Sequence, residues 1–442
     1  LYSLNYFFLE YGWDFMSNGG FRHTRRRFVK LSGLAGATAL AGCTDGIPGG
    51  DSGTNGSGEW PMFQYDAKNT GNAPVVAPDG KPSEQWHFET GSAIRSPPVV
   101  KDGTAYFNTG DIHAISLSDG SQEWSVEEFD TQSIAVTDEH LLRVAWRELE
   151  AELVVHALDD GVELARYHTP GHEGAALAIA DETIYVASNA PIRKHSAPDR
   201  ERFKSLYAVT AQGGVQWTFE PDRDITTEGS GGSVPRQLSP AVTDEHVFVA
   251  TNSPRGNETE NLYAVSRNDG SQQWSTEIPE EPITPISVAG GTLYLPRRTE
   301  NGTKLHAMST DDGSERWSVD MDRTEISSVA VADGTAYVAC DRRDAPDGSA
   351  VVRALSTDDG SETWTHEVGG HLVGPPVVVG DTLYASGTDR PFGERGDVYA
   401  IAVSDGSERW HFETDRHVDT PPVIVDGTIY LGSKRDTVYA LG

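Results

Sequence analysis

"ALSTDDGSETW", Ala354–Trp364, is one of five closely similar lines in a chain of 442 residues. "AISLSDGSQEW" spans Ala114–Trp124, "AVSRNDGSQQW" Ala264–Trp274, "AMSTDDGSERW" Ala307–Trp317 and "AIAVSDGSERW" Ala400–Trp410. Each begins with Ala, has Gly at the seventh place and ends in Trp. An Asp-Gly pair between alternating apolar and polar residues is a hairpin turn, because the turn needs backbone that accepts positive φ. The line therefore predicts two antiparallel strands, with Ala on the first and Trp on the second.

A second line recurs around it: "DGTAYF" at Asp102, "DEHLLR" at Asp138, "DETIYV" at Asp181 and "DEHVFV" at Asp244. It continues with "GGTLYL" at Gly290, "DGTAYV" at Asp333, "GDTLYA" at Gly380 and "DGTIYL" at Asp426. Each copy follows a short apolar run such as "SPPVV" (Ser96–Val100) and precedes one of the alternating strands. One unit is thus a four-stranded meander, with strands A to D. From Ser83 to Gly442 eight units share 360 residues, 45 each, the period of a β-propeller blade. The expected fold is all-β: an eight-bladed propeller of four-stranded antiparallel blades. The final unit has A, B and "TVYALG" (Thr437–Gly442) as C, while "EQWHFET" (Glu84–Thr90) is a D-type strand with no A to C before it. That strand is expected to complete the last blade and close the ring, which removes two open sheet edges.

The repeated Ala and Trp then have a structural purpose. A Trp can lie over the turn and the small residue of the adjoining blade. Burying it removes about 150–250 Å² from water, several kcal/mol per junction as an upper bound at about 25 cal/mol per Å². Trp86, Trp124, Trp217, Trp274, Trp317, Trp364 and Trp410 fill seven of the eight slots, paired with Ala114, Ala264, Ala307, Ala354 and Ala400 in the clearest copies. The second unit, "ALDDGVELARY", puts Ala165 in the slot, and the junction it makes is expected to be the weakest.

The line resembles the tryptophan-docking motif, Ala-x-Asp-x(3)-Gly-x(3)-Trp, of the pyrroloquinoline-quinone (PQQ) repeat propellers, with Ser mostly replacing the family's Asp. "WPMFQYDAKNTG" (Trp60–Gly71) resembles that family's lead-in segment, so the likeness runs from about Trp60 to Gly442. The family includes quinoprotein dehydrogenases, which hold PQQ over Ca²⁺, and BamB-like lipoproteins, which bind other proteins without a cofactor. Adjacent cysteines and a C-x-x-C-H haem site do not occur; the only cysteines are Cys43 and Cys340. A non-catalytic binding or scaffold protein with no cofactor and no catalytic residues is therefore expected. A quinoprotein dehydrogenase with PQQ and Ca²⁺ is the alternative.

Export is read from "TRRRFVK" (Thr24–Lys30), followed by a short apolar run ending in "LAGC" (Leu40–Cys43). Charged, apolar and small-residue regions in that order form secretory-signal anatomy. Thr24, Arg25, Arg26, Phe28 and Lys30 resemble a twin-arginine signal, and Leu40–Cys43 a lipobox, which implies lipidation of Cys43. Residues 1–42 are read as this signal, with 1–15 an untranslated artefact ahead of Met16. Residues 43–59, rich in Gly, Ser and Asp, read as a flexible tether; 60–82 form the lead-in and 83–442 the propeller. The expected location is the extracellular face of the cytoplasmic membrane, as a monomer. Sequons at Asn55, Asn257 and Asn301 suit an exported surface.

The net charge of −32 argues against nucleic acid as a partner, since phosphate binding needs a basic face. Acid-rich, Lys-poor composition resembles proteins of salt-in halophiles of archaeal type, in which dense salt screens the repulsion. The A–B and C–D turns should share one acidic face, and the longer B–C and D–A loops the other. The loop face collects Arg193, Lys194, Arg297, Arg298, Arg342, Arg343, Arg390, Arg395, Lys434 and Arg435, and a protein or cell-surface ligand is expected to dock there, because loops held by a rigid scaffold carry binding residues. His172, His371 and His417 precede the strand-B Tyr of their blades by the same spacing, so His371 and His417 on adjacent blades are weak candidates for a metal site. Cys340, at the end of a strand B, is expected to be packing.

Overall fold

The computed structural model describes residues 58–442 apart from residue 95 and the segments 128–130, 148–149, 170–171, 190–205, 221–238, 251–259, 279–280, 283–284, 300–301, 322–324, 342–348, 373, 389–394, 419 and 434–435. Every regular element in it is a β-strand, and the strands form eight separate antiparallel sheets. Blade 1 runs through Val99–Lys101, Thr104–Asn108, Ile112–Ser116 and Gln122–Val126 as strands A to D. The other seven repeat that order. In blades 5, 6 and 7 strand A comes in two pieces, both paired with strand B. In blade 7 the gap between His371–Leu372 and Val377–Val379 contains Pro375 and Pro376, which have no N–H to give the ladder.

Blade 8 closes as the repeat count requires. Its strand D is Glu84–Glu89, paired with Thr437–Leu441 in the register Trp86↔Ala440 and Glu89↔Thr437. Ser83 and Gly442 exchange backbone hydrogen bonds at 3.1 and 3.0 Å. Arg416 adds ion pairs at 2.6 Å to Glu89 and 2.7 Å to Asp436, spanning strand D and the end of the B–C loop.

The junctions explain the recurring line. In the repeat of Ala354–Trp364, Ala354 and Trp364 lie opposite each other, and a bulge follows as Leu355 pairs with Glu362. In the five turns of this line the Asp side chain accepts the backbone N–H of the Ser two residues on, for example Ser361 to Asp359 at 3.0 Å. The Trp ring packs on the Gly of the next blade, and its indole N–H donates to a turn carbonyl there. Trp86 reaches Leu117, Trp124 Leu158, Trp217 Arg267, Trp274 Thr310, Trp317 Thr357 and Trp364 Val403, all at 2.8–3.0 Å. At Gly360, with φ +73°, an added Cβ would stand 2.7 Å from the Trp317 ring. Gly is thus required twice over, by the turn and by the ring lying on it.

Blade 2 departs from expectation in an informative way. Ala165 does occupy the Trp register, opposite Val155. The ring that covers the next blade comes from Tyr167, two residues along: a Cβ on Gly213 would fall 1.6 Å from its Cε1. Tyr167 packs against the buried cluster that joins blades 2 and 3, which includes Leu142, Val155, Ile184 and Val209, so this junction has an aromatic dock after all.

One element is not a blade. The segment Trp60–Val76 crosses the inner edges of the strands A as a strap. Its carbonyls at Trp60, Pro61, Ala67, Lys68, Thr70 and Gly71 accept N–H groups of Val100, Val136, Val242, Val288, Val331 and Val378 at 2.6–2.9 Å. Those six valines hold the same place in blades 1, 2, 4, 5, 6 and 7, two residues before the A–B turn. Strand A is an inner edge with unpaired N–H groups, and the strap satisfies one of them in each of these six strands. To follow the circle it bends at Gln64, Tyr65, Asn69 and Gly71, all with φ between 52° and 75°. Each non-Gly residue there costs about 1–2 kcal/mol, offset by buried contacts. Trp60 is buried edge-on against Tyr65, and the Asn69 amide reaches the carbonyl of Ile286 at 3.0 Å. Lys101 holds Glu59 and Asp138 at 2.8 and 2.7 Å. Burial opposes the Lys101 charge, but those hydrogen bonds outweigh it and push the ammonium up to about 12.

Candidate interaction faces and binding sites

The A–B and C–D turns share one face, since Leu117, Thr310, Thr357 and Val403 of the C–D turns donate to Gly103, Gly291, Gly334 and Asp381 of the A–B turns. The strap lies on that side, against strand A beside the A–B turns. A groove of about 850 Å³ runs between it and the turns of blades 4 to 6, lined by Asp66, Lys68, Asp244, Asp311, Arg316, Asp333 and Asp358 among others. The turn face thus contains a concavity, where the sequence suggests only short turns. Five carboxylates in the turns of this face are held below the usual carboxylate range. Hydrogen bonds from the Ser271 hydroxyl, the Ser266 hydroxyl and the Ser271 N–H hold Asp269 at about 2, and the same Ser contact lowers Asp119, Asp312, Asp359 and Asp405. Within the strap the order reverses: burial raises the Asp66 carboxyl against its hydrogen bonds to Thr70 and Lys68.

On the opposite side, Arg298 is half-buried and Arg395 is exposed, 3.3 Å from Glu413. Arg297 is 2% exposed, so its guanidinium is enclosed within blade 5 and cannot serve as a surface anchor. It acts on His306, which is buried 2.6 Å from Glu315: burial first, then the Arg297 charge, lowers that imidazole to about 4. Arg193, Lys194, Arg342, Arg343, Arg390, Lys434 and Arg435 lie outside the described residues, as do Arg25, Arg26, Phe28, Lys30, Cys43 and the three sequon asparagines.

The histidines separate. His371 is buried, with Nδ1 at 2.8 and 3.0 Å from the carboxylate oxygens of Asp341 in blade 6. His417 is half-buried, and the side chain of His172 lies outside the described part. Among the described residues, one group of three metal-capable side chains has its ligand atoms within 4.8 Å of one another: Asp397, His411 and Glu413. It includes neither His371 nor His417. Cys340 is buried among Tyr294, Val338 and Leu355, as packing.

With the ring, strap and faces in place, comparison with known proteins assigns the family. The profile of a family described as outer membrane protein assembly factor BamB matches residues 143–338 and 348–442, well over half the chain. The chain belongs to this PQQ-repeat propeller family. No curated protein sequence matches it. Among solved structures, it is similar to a quinohemoprotein alcohol dehydrogenase from Comamonas testosteroni, at 12% identity and TM-score 0.61 over 87% of this chain and 80% of that one. BamB from Moraxella catarrhalis matches at 13% identity and TM-score 0.55, over 81% and 99%. The computationally designed Ika8 protein matches at 13% identity and TM-score 0.57, over 83% and 98%. At these identities the neighbours share the fold, and fold alone does not assign chemistry.

Proposed function

We propose that this propeller is a non-catalytic scaffold, anchored by a lipid on Cys43 at the extracellular face of the cytoplasmic membrane, which holds another protein or a cell-surface ligand on its loop face. The observation that carries the reading is the family match itself, whose description is of an assembly factor. Only binding to other proteins is transferred; the outer-membrane setting is not, because the charge pattern and signal resemble those of halophilic archaea. The strap supports the choice of face. It already occupies inward N–H groups beside the A–B turns, which takes up part of that side.

Two measurements test the reading. Adding PQQ with Ca²⁺ should leave the melting temperature unchanged; a saturable rise would make the protein a quinoprotein instead. A Cys43→Ser form should move from the membrane fraction to the medium. If it stays in the membrane, the anchor is elsewhere.

A further inference from the structure

The repeats act as internal controls for one another, and one position set in blade 7 stands out. An acidic residue three places after the docking Trp belongs to the repeat, as Glu127, Glu277 and Glu413 illustrate. Blade 1 adds Asp111 to Glu127 but has Ser125 between the two strands' carboxylates; blade 8 has His87 and Glu89 but Thr437 in place of the Asp. Blade 7 alone combines Asp397, His411 and Glu413.

Strands C (Gly396–Ala402) and D (Glu408–Thr414) of that blade bring them together. Asp397 lies opposite Glu413, and Tyr399 opposite His411, so all four side chains share one face of the sheet. The His411 ring stacks on Tyr399 with centroids 4.6 Å apart and planes 3° from parallel. That stack aims Nε2 at Asp397 Oδ1, 2.8 Å away. Burial is graded from Asp397, buried, through His411 to Glu413, exposed, so the group is rigid on one side and open to solvent on the other.

The geometry points to a binding site for a divalent transition-metal ion such as Zn²⁺, held by Asp397, His411 and Glu413 and completed by water. Zinc takes imidazole nitrogen and carboxylate oxygen at about 2.0–2.2 Å, which sets two ligands of one ion about 3 Å apart. The existing 2.8 Å separation therefore needs little change when an ion replaces the shared proton. A mixed imidazole and carboxylate set suits Zn²⁺, Co²⁺ or Mn²⁺, and the open side leaves positions for water or an outside donor. Arg395 approaches Glu413 at 3.3 Å, but both side chains are mostly exposed, and such surface pairs hold little. The site is independent of the scaffold reading: it stands or falls without any partner.

The test is titration of the full metal-free chain with Zn²⁺ by calorimetry, in concentrated salt with excess Mg²⁺ to occupy the general acidic surface. Co²⁺ absorption provides a second readout. One equivalent should bind, weakened at least tenfold by His411→Ala or Asp397→Asn. Glu413→Gln, at the surface and harmless to folding, should weaken it several-fold. His371→Ala and His417→Ala should bind as the parent does. No saturable heat, more than one equivalent unaffected by His411→Ala and Glu413→Gln, or loss confined to the His371 and His417 variants would each overturn the assignment.

Discussion

Replacing Gly360 by Ala isolates what the repeated line is for, because a neighbouring glycine provides the control. Gly360 and Gly334 belong to the same blade and have nearly the same backbone, φ +73° and +76°. Ala at either position carries about 1–2 kcal/mol of left-handed strain. At Gly334 the nearest atom to an added Cβ is 3.9 Å away; at Gly360 the Trp317 ring and Val319 stand at 2.7 and 2.8 Å. The ring must therefore lift, which costs about 1–3 kcal/mol of overpacking and about 1 kcal/mol from its 2.9 Å hydrogen bond to Thr357. Gly334→Ala should lose about 1–2 kcal/mol, and Gly360→Ala about 3–6. Urea denaturation at constant salt reads both, with midpoint and slope compared so that a broken two-state transition is seen. Equal losses, or a larger one at Gly334, would refute the docking account.

Three further outcomes follow from the packing. Tyr167→Ala should destabilise the blade 2–3 junction by about 2–4 kcal/mol, on the scale of an aromatic truncation in a core, while Ala165→Ser costs far less; thermal melting of the two variants decides. Asn69→Ala should cost about 1–3 kcal/mol, since the carbonyl of Ile286 loses a buried partner at 3.0 Å, and urea midpoints check it. His306 titrates near 6.5 when unfolded but at about 4 in the fold. The unfolded chain therefore binds the extra proton first. Stability should be full above pH 6.5 and decline by about 3 kcal/mol as pH falls to 4, at about 1.4 kcal/mol per unit. His306→Gln should flatten that slope.

Repetition made the fold legible. The positions of Ala354, Gly360 and Trp364 are dictated by turn geometry and ring packing, and those demands recur at most junctions, so the line and the eight strand-B copies together announce eight blades. The strand Glu84–Glu89 could be placed in blade 8 for the same reason. Where a constraint is met in a different way the text goes silent. Tyr167 supplies the missing ring from two residues outside the motif, visible only once the bulge sets strand direction. The strap's role is equally hidden, because it bonds through backbone carbonyls and leaves only Trp60, Asn69 and Gly71 as side-chain signs. Arg297 and Arg298 are neighbours in sequence, yet the strand is buried on both faces through Arg297 and opens only at Arg298 near its end, so no alternation in the sequence separates them. Asp397 and His411 are fourteen residues apart in the sequence and meet only through cross-strand register. The equal spacing of His371 and His417 is by contrast visible in the sequence, yet His371 is occupied by Asp341.

The central claim, that a partner is held on the loop face, is tested most directly by crosslinking and capture at the cell surface with two charge-altered forms. One carries Arg298→Glu, Arg342→Glu and Arg343→Glu; the other carries Asp311→Ser, Asp333→Ser and Asp358→Ser along the turn-face groove. The account predicts that the same captured partner is lost from the first form and retained by the second. Retention by the first with loss from the second would place the partner in the groove and contradict it.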